Sequence, residues 1–499
     1  MSYPGKRIIL CLDGTWVNSD KGYDSPTLSQ PNETLQIPTN VTRVYRALRK
    51  RDPDGKGQVL YYHPGVGSSG TLADTIAGGA FGVGVSENIR EAYSFVAVNY
   101  EPGDEIILVG FSRGAFTARS VAGLITQIGL LTADGLEALY PIFKDVQNWK
   151  NPHYRDKFPK TPFPDKPKTP NHGKEYTRRL EEEGLTRLYD PDGYRIKVRC
   201  VAVWETFYDT SLSNKIDYAF QALALDEDRT SFAPTLWERP RHVRTHLRQV
   251  WFPGAHSNVG GGLPDQEIAN LSMAWMMDQL ASIGIAFEDG TIDKIFRDSV
   301  FYYFDHAHHA RSTSGHSKHK PRTEWAMASI YDEHKPVRPW ALGEIIQPDT
   351  GLYRAAGKTT RTPGMYHRID PETALDTPYF LEDTHESIHR SVRLRLALEG
   401  LGYDDTGPYK CRALLKKGPW EVRRMRVVSR NHVQDSYGEA DEIVEDHRWG
   451  WVYIGPEEDA PPVTVLMEEP LGPYEKKLLG LNKGEPSPSN DMWESLSNN

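Results

Sequence analysis

The sequence predicts an α/β protein: a mainly parallel central sheet flanked by helices, with an insertion and a C-terminal extension. Three observations lead there. Short apolar runs bounded by turn residues recur along the first half of the chain, as buried strands do. Segments with helical spacing fall between them, and strand–helix alternation needs crossover helices and hence parallel pairing. The chain is 499 residues long with 38% hydrophobic residues, enough to bury a large core without disulfides or metals.

The elements follow in order. RIILCL (7–12) is a buried strand stopped by Asp13-Gly14. Asn40–Leu48 places Val41, Val44, Tyr45 and Leu48 on one helical face. QVLYY (58–62) is a second strand. Ser86 caps a helix to about Tyr100, with Ile89, Tyr93, Val96 and Ala97 inward. EIILVG (105–110) is a third strand, and a helix runs from Arg113 to Leu130. Residues 149–186 are rich in Pro and Lys with little periodicity, which reads as a surface flap. Strands return at RIKVRCVAVW (195–204) and RQVWF (248–252), and helices at Gln266–Ile283 and His385–Leu398. The His-rich stretch 305–323 reads as a loop. The domain reading is a core over 1–395 carrying a lid or insertion at 131–194. A small β-rich extension over 396–484 (EVRRMRVV, GWVYI, TVLM) and a disordered tail at 485–499 follow.

Composition excludes several classes. Lys+Arg number 59 against 68 Asp+Glu, a net charge of −9, whereas nucleic-acid binders carry a basic domain. No stretch reaches the roughly 20 apolar residues of a spanning helix, and Ile8–Leu12 is too short for a signal peptide. The expectation is a cytoplasmic protein. Cys11, Cys200 and Cys411 are few, odd in number and far apart, which argues against a disulfide framework.

The sharpest chemical signal is Gly110-Phe111-Ser112-Arg113-Gly114. Gly-x-Ser-x-Gly alone is common. Here a strand runs into it and a helix with many small residues leaves it, which is the setting of a nucleophile elbow. A serine nucleophile needs a sharp turn above the sheet edge, and Gly110 and Gly114 remove side chains that would collide there. The Arg113 N–H, at the helix N-terminus, then points at a developing oxyanion.

Such a serine needs a base and an orienting acid, in the chain order Ser, Asp/Glu, His for this fold. The strand RIKVRCVAVW ends at Glu205, with Asp209 as a competing acid four residues on. The strand RQVWF leads into a Gly-rich loop that holds His256. These residues point to a serine esterase or lipase of the α/β-hydrolase fold that needs no cofactor and no metal.

As a set, CLDGTW (11–16), PGVG (64–67), GFSRGAFTARS (110–120), VAVWETF (201–207), VWFPGAHSNVGGG (250–262) and ESIHRSVRLR (386–395) resemble the α/β-hydrolase family of class-one type VI secretion phospholipase effectors, which has many uncharacterised bacterial and fungal members. The resemblance implies a catalytic triad of Ser112, Glu205 and His256. It also implies lipid or phospholipid esters as substrates, with phospholipase A-like cleavage. It frames the loop after the first strand, where Gly14 or Thr15 would give the second oxyanion N–H. The chain departs from the family in two places: the acid is commonly Asp, here Glu205, and Asn258 stands where the family usually has Asp.

Other signals are weaker. GLYRAAGKTT (351–360) is one residue too long for a phosphate loop. His306, His308, His309, His316 and His319 have irregular spacing and read as a solvated loop. Lys150 to Lys174 is locally basic and suits either plain solvation or peripheral contact with anionic lipid headgroups. Two readings stand beside the lipase: a carboxylesterase for small metabolites, and a non-catalytic interaction protein on the same scaffold. Oligomeric state is not legible in the sequence.

Overall fold

The computed structural model describes residues 5–14, 23–24, 34–65, 83–149, 151, 153–167, 172–205, 212–312, 337–346, 357–370, 375–416, 419–435 and 438–482. The apolar runs form one ten-stranded sheet. Its strands are β1 (Lys6–Leu12), β2 (Gly57–His63), β3 (Glu105–Phe111), β4 (Val198–Trp204), β5 (Ile216–Ala224), β6 (His246–Phe252), β7 (Glu386–His389), β8 (Trp420–Asp435), β9 (Gly438–Tyr453) and β10 (Val465–Glu469). Their spatial order is β8-β9-β10-β7-β6-β5-β4-β3-β1-β2. Pairing is parallel from β2 across to β10, and β9 and β8 then add antiparallel.

Side chains alternate across this sheet and feed two cores. Ile9, Cys11, Ile107 and Val109 pack with α1 (Asn40–Ala47) and α7 (Glu267–Ser282). Ile8, Leu10, Ile106 and Leu108 pack with α2 (Val83–Asn99) and α3 (Arg113–Ile128). Central strands buried on both faces explain why these runs are apolar throughout. Cys11, Cys200 and Cys411 are buried free thiols.

Several expectations change. β5 is absent from the sequence reading because IDYAFQALA carries Ala and Gln, which favour helices. Its place between β4 and β6 overrides that preference, and even Gln221 is fully buried. The helix expected from His385 begins only at Arg390, as α9 (Arg390–Ala397), because Glu386–His389 is drawn into the sheet between β6 and β10. The His-rich loop is helical in its first part: α8 (Thr291–Ser312) carries His306, His308 and His309, while His316 and His319 lie outside the described residues. Ser86 sits inside the first turn of α2 rather than at its cap.

The insertion holds α4 (Leu139–Asn148) and α5 (His172–Glu182), and its Ile142, Phe143, Phe163, Tyr176 and Leu180 join the core against α2 and α3. Beyond residue 396 the chain contributes β8, β9 and β10, and β10 continues the central sheet by pairing with β7. α10 (Pro473–Leu481) then returns to pack on α7. The tail expected to be disordered, 485–499, lies outside the described residues. Among the described residues no helix is long and apolar enough to cross a membrane.

Candidate active site

β3 ends at Phe111, and Ser112 turns the chain into α3 with φ 55° and ψ −121°. This left-handed conformation is costly for a residue with a Cβ and is typical of functional turns. The Ser112 N–H donates to the Trp204 carbonyl at 3.1 Å, which ties the turn to the end of β4. A Cβ on Gly110 would lie 2.5 Å from the Gly114 carbonyl oxygen, and one on Gly114 would lie 2.0 Å from the Leu12 carbonyl oxygen. The two glycines let α3 fold back over β3 and β1. Arg113 is the first residue of α3, so its N–H has no carbonyl within the helix to bond.

Glu205 follows β4 directly. It is fully buried and also left-handed, with φ 40°. Its Oε1 accepts the Ala224 N–H at 2.6 Å, and its Oε2 faces His256 Nδ1 at 3.5 Å and Arg361 Nη2 at 3.4 Å. His256, placed by the sequence in an open loop, is the first residue of a one-turn helix, α6 (His256–Gly260), just after β6. It is 4% exposed and sits between the rings of Phe111 and Phe232, at centroid distances of 4.7 and 4.9 Å. Ser112, Glu205 and His256 therefore leave β3, β4 and β6, with β5 between the last two, at the carboxyl edge of the parallel sheet where α/β sheets carry their sites. Asp209 lies outside the described residues.

Gly14 lies against the serine: a Cβ on it would be 3.2 Å from Ser112 Cβ. Its N–H, however, donates to Asp13 Oδ1 at 2.8 Å. Asp13 is buried and also accepts from Thr39, Thr42 and Tyr62, bonds that hold its acidity up against burial, which raises its pKa overall. Thr15 lies outside the described residues.

Three residues in contact with the candidate site escaped the sequence reading. Asp226 and Glu227 follow β5, and each grips the histidine segment. Asp226 Oδ2 accepts the Gly254 N–H at 2.6 Å, and Glu227 Oε2 accepts the His256 N–H at 3.2 Å. Had β5 been read as a strand, acids at its end would have stood out. Burial pushes the Glu227 carboxyl up, but its pairing with Arg229 at 2.7 Å, with His256 and Arg361 nearby, holds its pKa below the ordinary value. Arg361, the third, donates to the Phe232 carbonyl at 2.5 Å beside Glu205. Its segment, which resembled a phosphate loop, is pinned instead to the acid loop, with the Thr359 N–H on the Asp228 carbonyl at 2.7 Å.

Burial raises Asp226 from 3.8 to about 6, although the Gly254 N–H and the Tyr409 hydroxyl favour its charged form. Between about pH 4 and pH 6 the unfolded chain has lost a proton that the folded chain keeps. Stability from this group therefore falls as pH rises through that window, by on the order of 3 kcal/mol. Asp226→Asn is expected to flatten that part of the curve. Urea unfolding at pH 4 and pH 7 checks this, and an unchanged difference between the two pH values contradicts it.

Asn258 has a structural task. Its Oδ1 accepts the Ala255 N–H at 3.0 Å, closing the first turn of α6, and its Nδ2 donates to the Glu344 carbonyl at 3.2 Å. An aspartate keeps the first bond and sets a carboxylate against the Glu344 carbonyl. Asn258→Asp is thus expected to cost about 1–3 kcal/mol, read by denaturant unfolding. Equal or higher stability contradicts the assignment.

A family profile described as the T6SS phospholipase effector Tle1-like catalytic domain matches residues 6–279, more than half of the chain. The uncharacterised protein YEL023C of Saccharomyces cerevisiae is 29% identical over 255 residues, which are 46% of this chain and 32% of that protein. The chain thus spans about a third of the length of this curated relative. Among solved structures, an uncharacterised protein from Pseudomonas aeruginosa is 14% identical, with TM-score 0.33, over 57% of this chain and 47% of that one. The Tle1 effector bound to the VgrG spike of the type 6 secretion system is 17% identical, with TM-score 0.27, over 52% of each chain.

Proposed function

The chain belongs to the Tle1-like phospholipase effector family of type VI secretion, whose catalytic domain it carries, and on that premise we propose that it is a serine hydrolase of lipid esters with Ser112, His256 and Glu205 as its triad. The observation that carries this reading is the placement of the three residues just past the carboxyl ends of β3, β4 and β6, with Glu205 Oε2 3.5 Å from His256 Nδ1.

Ser112 Oγ attacks the ester carbonyl carbon while His256 takes its proton as general base. Glu205, fixed by the Ala224 N–H, orients the imidazole and stabilises its charged form. A contact of 3.5 Å in the free enzyme shortens as the imidazolium forms. The Arg113 N–H holds the oxyanion from the α3 terminus. The Gly14 N–H is engaged by Asp13, and Thr15, the other residue expected to donate, lies outside the described residues. His256 protonates the leaving alcohol. It then activates the water that releases the acyl group from Ser112. The phospholipid substrate is supported by the family's description, and phospholipase A-like cleavage is part of the proposal.

The test is a substrate panel. The protein is given phosphatidylcholine or phosphatidylethanolamine in mixed detergent micelles, and separately short-chain nitrophenyl esters. Release of free fatty acid by wild type and not by Ser112→Ala is expected. Turnover of short esters with none of the phospholipids would overturn the lipid assignment and favour a small-ester carboxylesterase.

A further inference from the structure

A cavity of about 640 Å³ opens beside α3, away from the triad. Its α3 wall runs from Arg119 to Gln127, about 10 to 22 Å along the helix from Ser112 at 1.5 Å per residue. The insertion helix α5 and the turn before β5 close it from the other side. Among the described residues that line it, the charge is one-sided. Arg119, Lys174, Arg195 and Lys215 line it against one acid, Glu181, while Arg178 is taken up by Glu175 and Glu182.

Among the described residues no carboxylate lies within salt-bridge reach of Lys174, Arg195 or Lys215. Lys215 Nζ donates to the Thr126 carbonyl, and Arg195 Nη1 donates to the Tyr189 hydroxyl at 3.0 Å. Burial, and then Arg195, push Lys215 down to about 8, as expected of a cation that lacks a counter-charge. Uncharged polar residues such as Gln127, Thr177 and Asn214 share the rest of the wall with apolar Trp149, Leu188, Leu212 and Trp237, the last stacked under Arg119 at 4.2 Å. A volume of this size lined by cations and aromatic rings suits a small organic ligand.

We propose that this cavity is a second, non-catalytic binding site for an anionic amphiphile, its phosphate or carboxylate head held by Lys215, Arg195 and Lys174 and its alkyl tail lying against the half-buried Trp149. The site is independent of the triad, so its test uses the Ser112→Ala protein, in which binding is read without turnover.

Octyl phosphate, octanoate, octanol and inorganic phosphate are titrated calorimetrically, below the micellar concentration, into Ser112→Ala. The same protein carrying Lys215→Gln with Arg195→Gln is run beside it, and so is one carrying only Lys174→Gln, a change at an exposed side chain. Octyl phosphate or octanoate is expected to bind at least tenfold more tightly than inorganic phosphate or octanol. Which of the two binds better identifies a phosphate or a carboxylate head. The double variant, with its melting temperature checked, is expected to lose at least tenfold in affinity and Lys174→Gln about threefold. Equal binding of octanol, equal binding of inorganic phosphate, or undiminished affinity in both variants overturns the proposal.

Discussion

Replacing Ser112 with Ala is expected to lower ester hydrolysis about ten-thousand-fold or more while the protein stays folded. The loss is that large because no other group at the turn can form the acyl bond. His256→Ala should fall about as far, and the double variant no further, since the two act as one unit. Glu205→Gln should lose about a thousand-fold or more. A glutamine can still accept the Ala224 N–H through its oxygen, but its amide then faces the His256 ring nitrogen as a donor and cannot hold the working tautomer. Ser112→Gly is the informative control. It removes the chemistry and relieves the strain of φ 55°, so it should be inactive and about 1 kcal/mol more stable than wild type. Initial rates with a soluble ester, together with denaturant unfolding, check all four. Residual activity within tenfold of wild type in Ser112→Ala contradicts the assignment.

Gly114→Ala is expected to have the largest effect on the fold itself. The added methyl would sit 2.0 Å from the Leu12 carbonyl oxygen and 2.6 Å from that of Asp13. Both are backbone atoms at the end of a central strand, so they cannot swing aside as a side chain would. Either α3 lifts from the sheet or β1 shifts, and the expected cost is about 4 kcal/mol or more. The loop of Asp13 and Gly14 would move with it, so activity should fall beyond what the stability loss explains. Gly123→Ala on the same helix gives the opposite sign. Nothing lies within 4 Å of its added methyl, and alanine in a helix interior should gain about 0.5–1 kcal/mol. Chemical unfolding of the two variants checks both. A neutral Gly114→Ala contradicts the close approach of α3 to β1.

Much of this was legible because local chemistry and tertiary role agree. The elbow is a case where one short motif encodes a strand, a strained turn and a helix start, and the glycines that betray it in the sequence are the ones a Cβ would obstruct. β1, β3 and β4 were readable because central parallel strands are apolar on both faces. β5 was hidden for the opposite reason: its Ala and Gln residues suit a helix, and only its neighbours in the sheet make it a strand. With β5 went Asp226 and Glu227, whose carboxylates steady the segment that bears His256. Arg361 could not be found from sequence, because it reaches Glu205 across 156 residues of chain through a contact that no spacing predicts. The strand at Glu386–His389 was mistaken for helix because a four-residue segment has too little periodicity to declare itself.

The account stands most directly on whether Ser112 is an activated nucleophile. A fluorophosphonate probe incubated with the folded protein in detergent, followed by proteolysis and mass mapping, reads this without assuming any substrate. The prediction is a single adduct on Ser112, absent from Ser112→Ala and strongly slowed in His256→Ala. An adduct on another serine, or none on folded wild type, would contradict it.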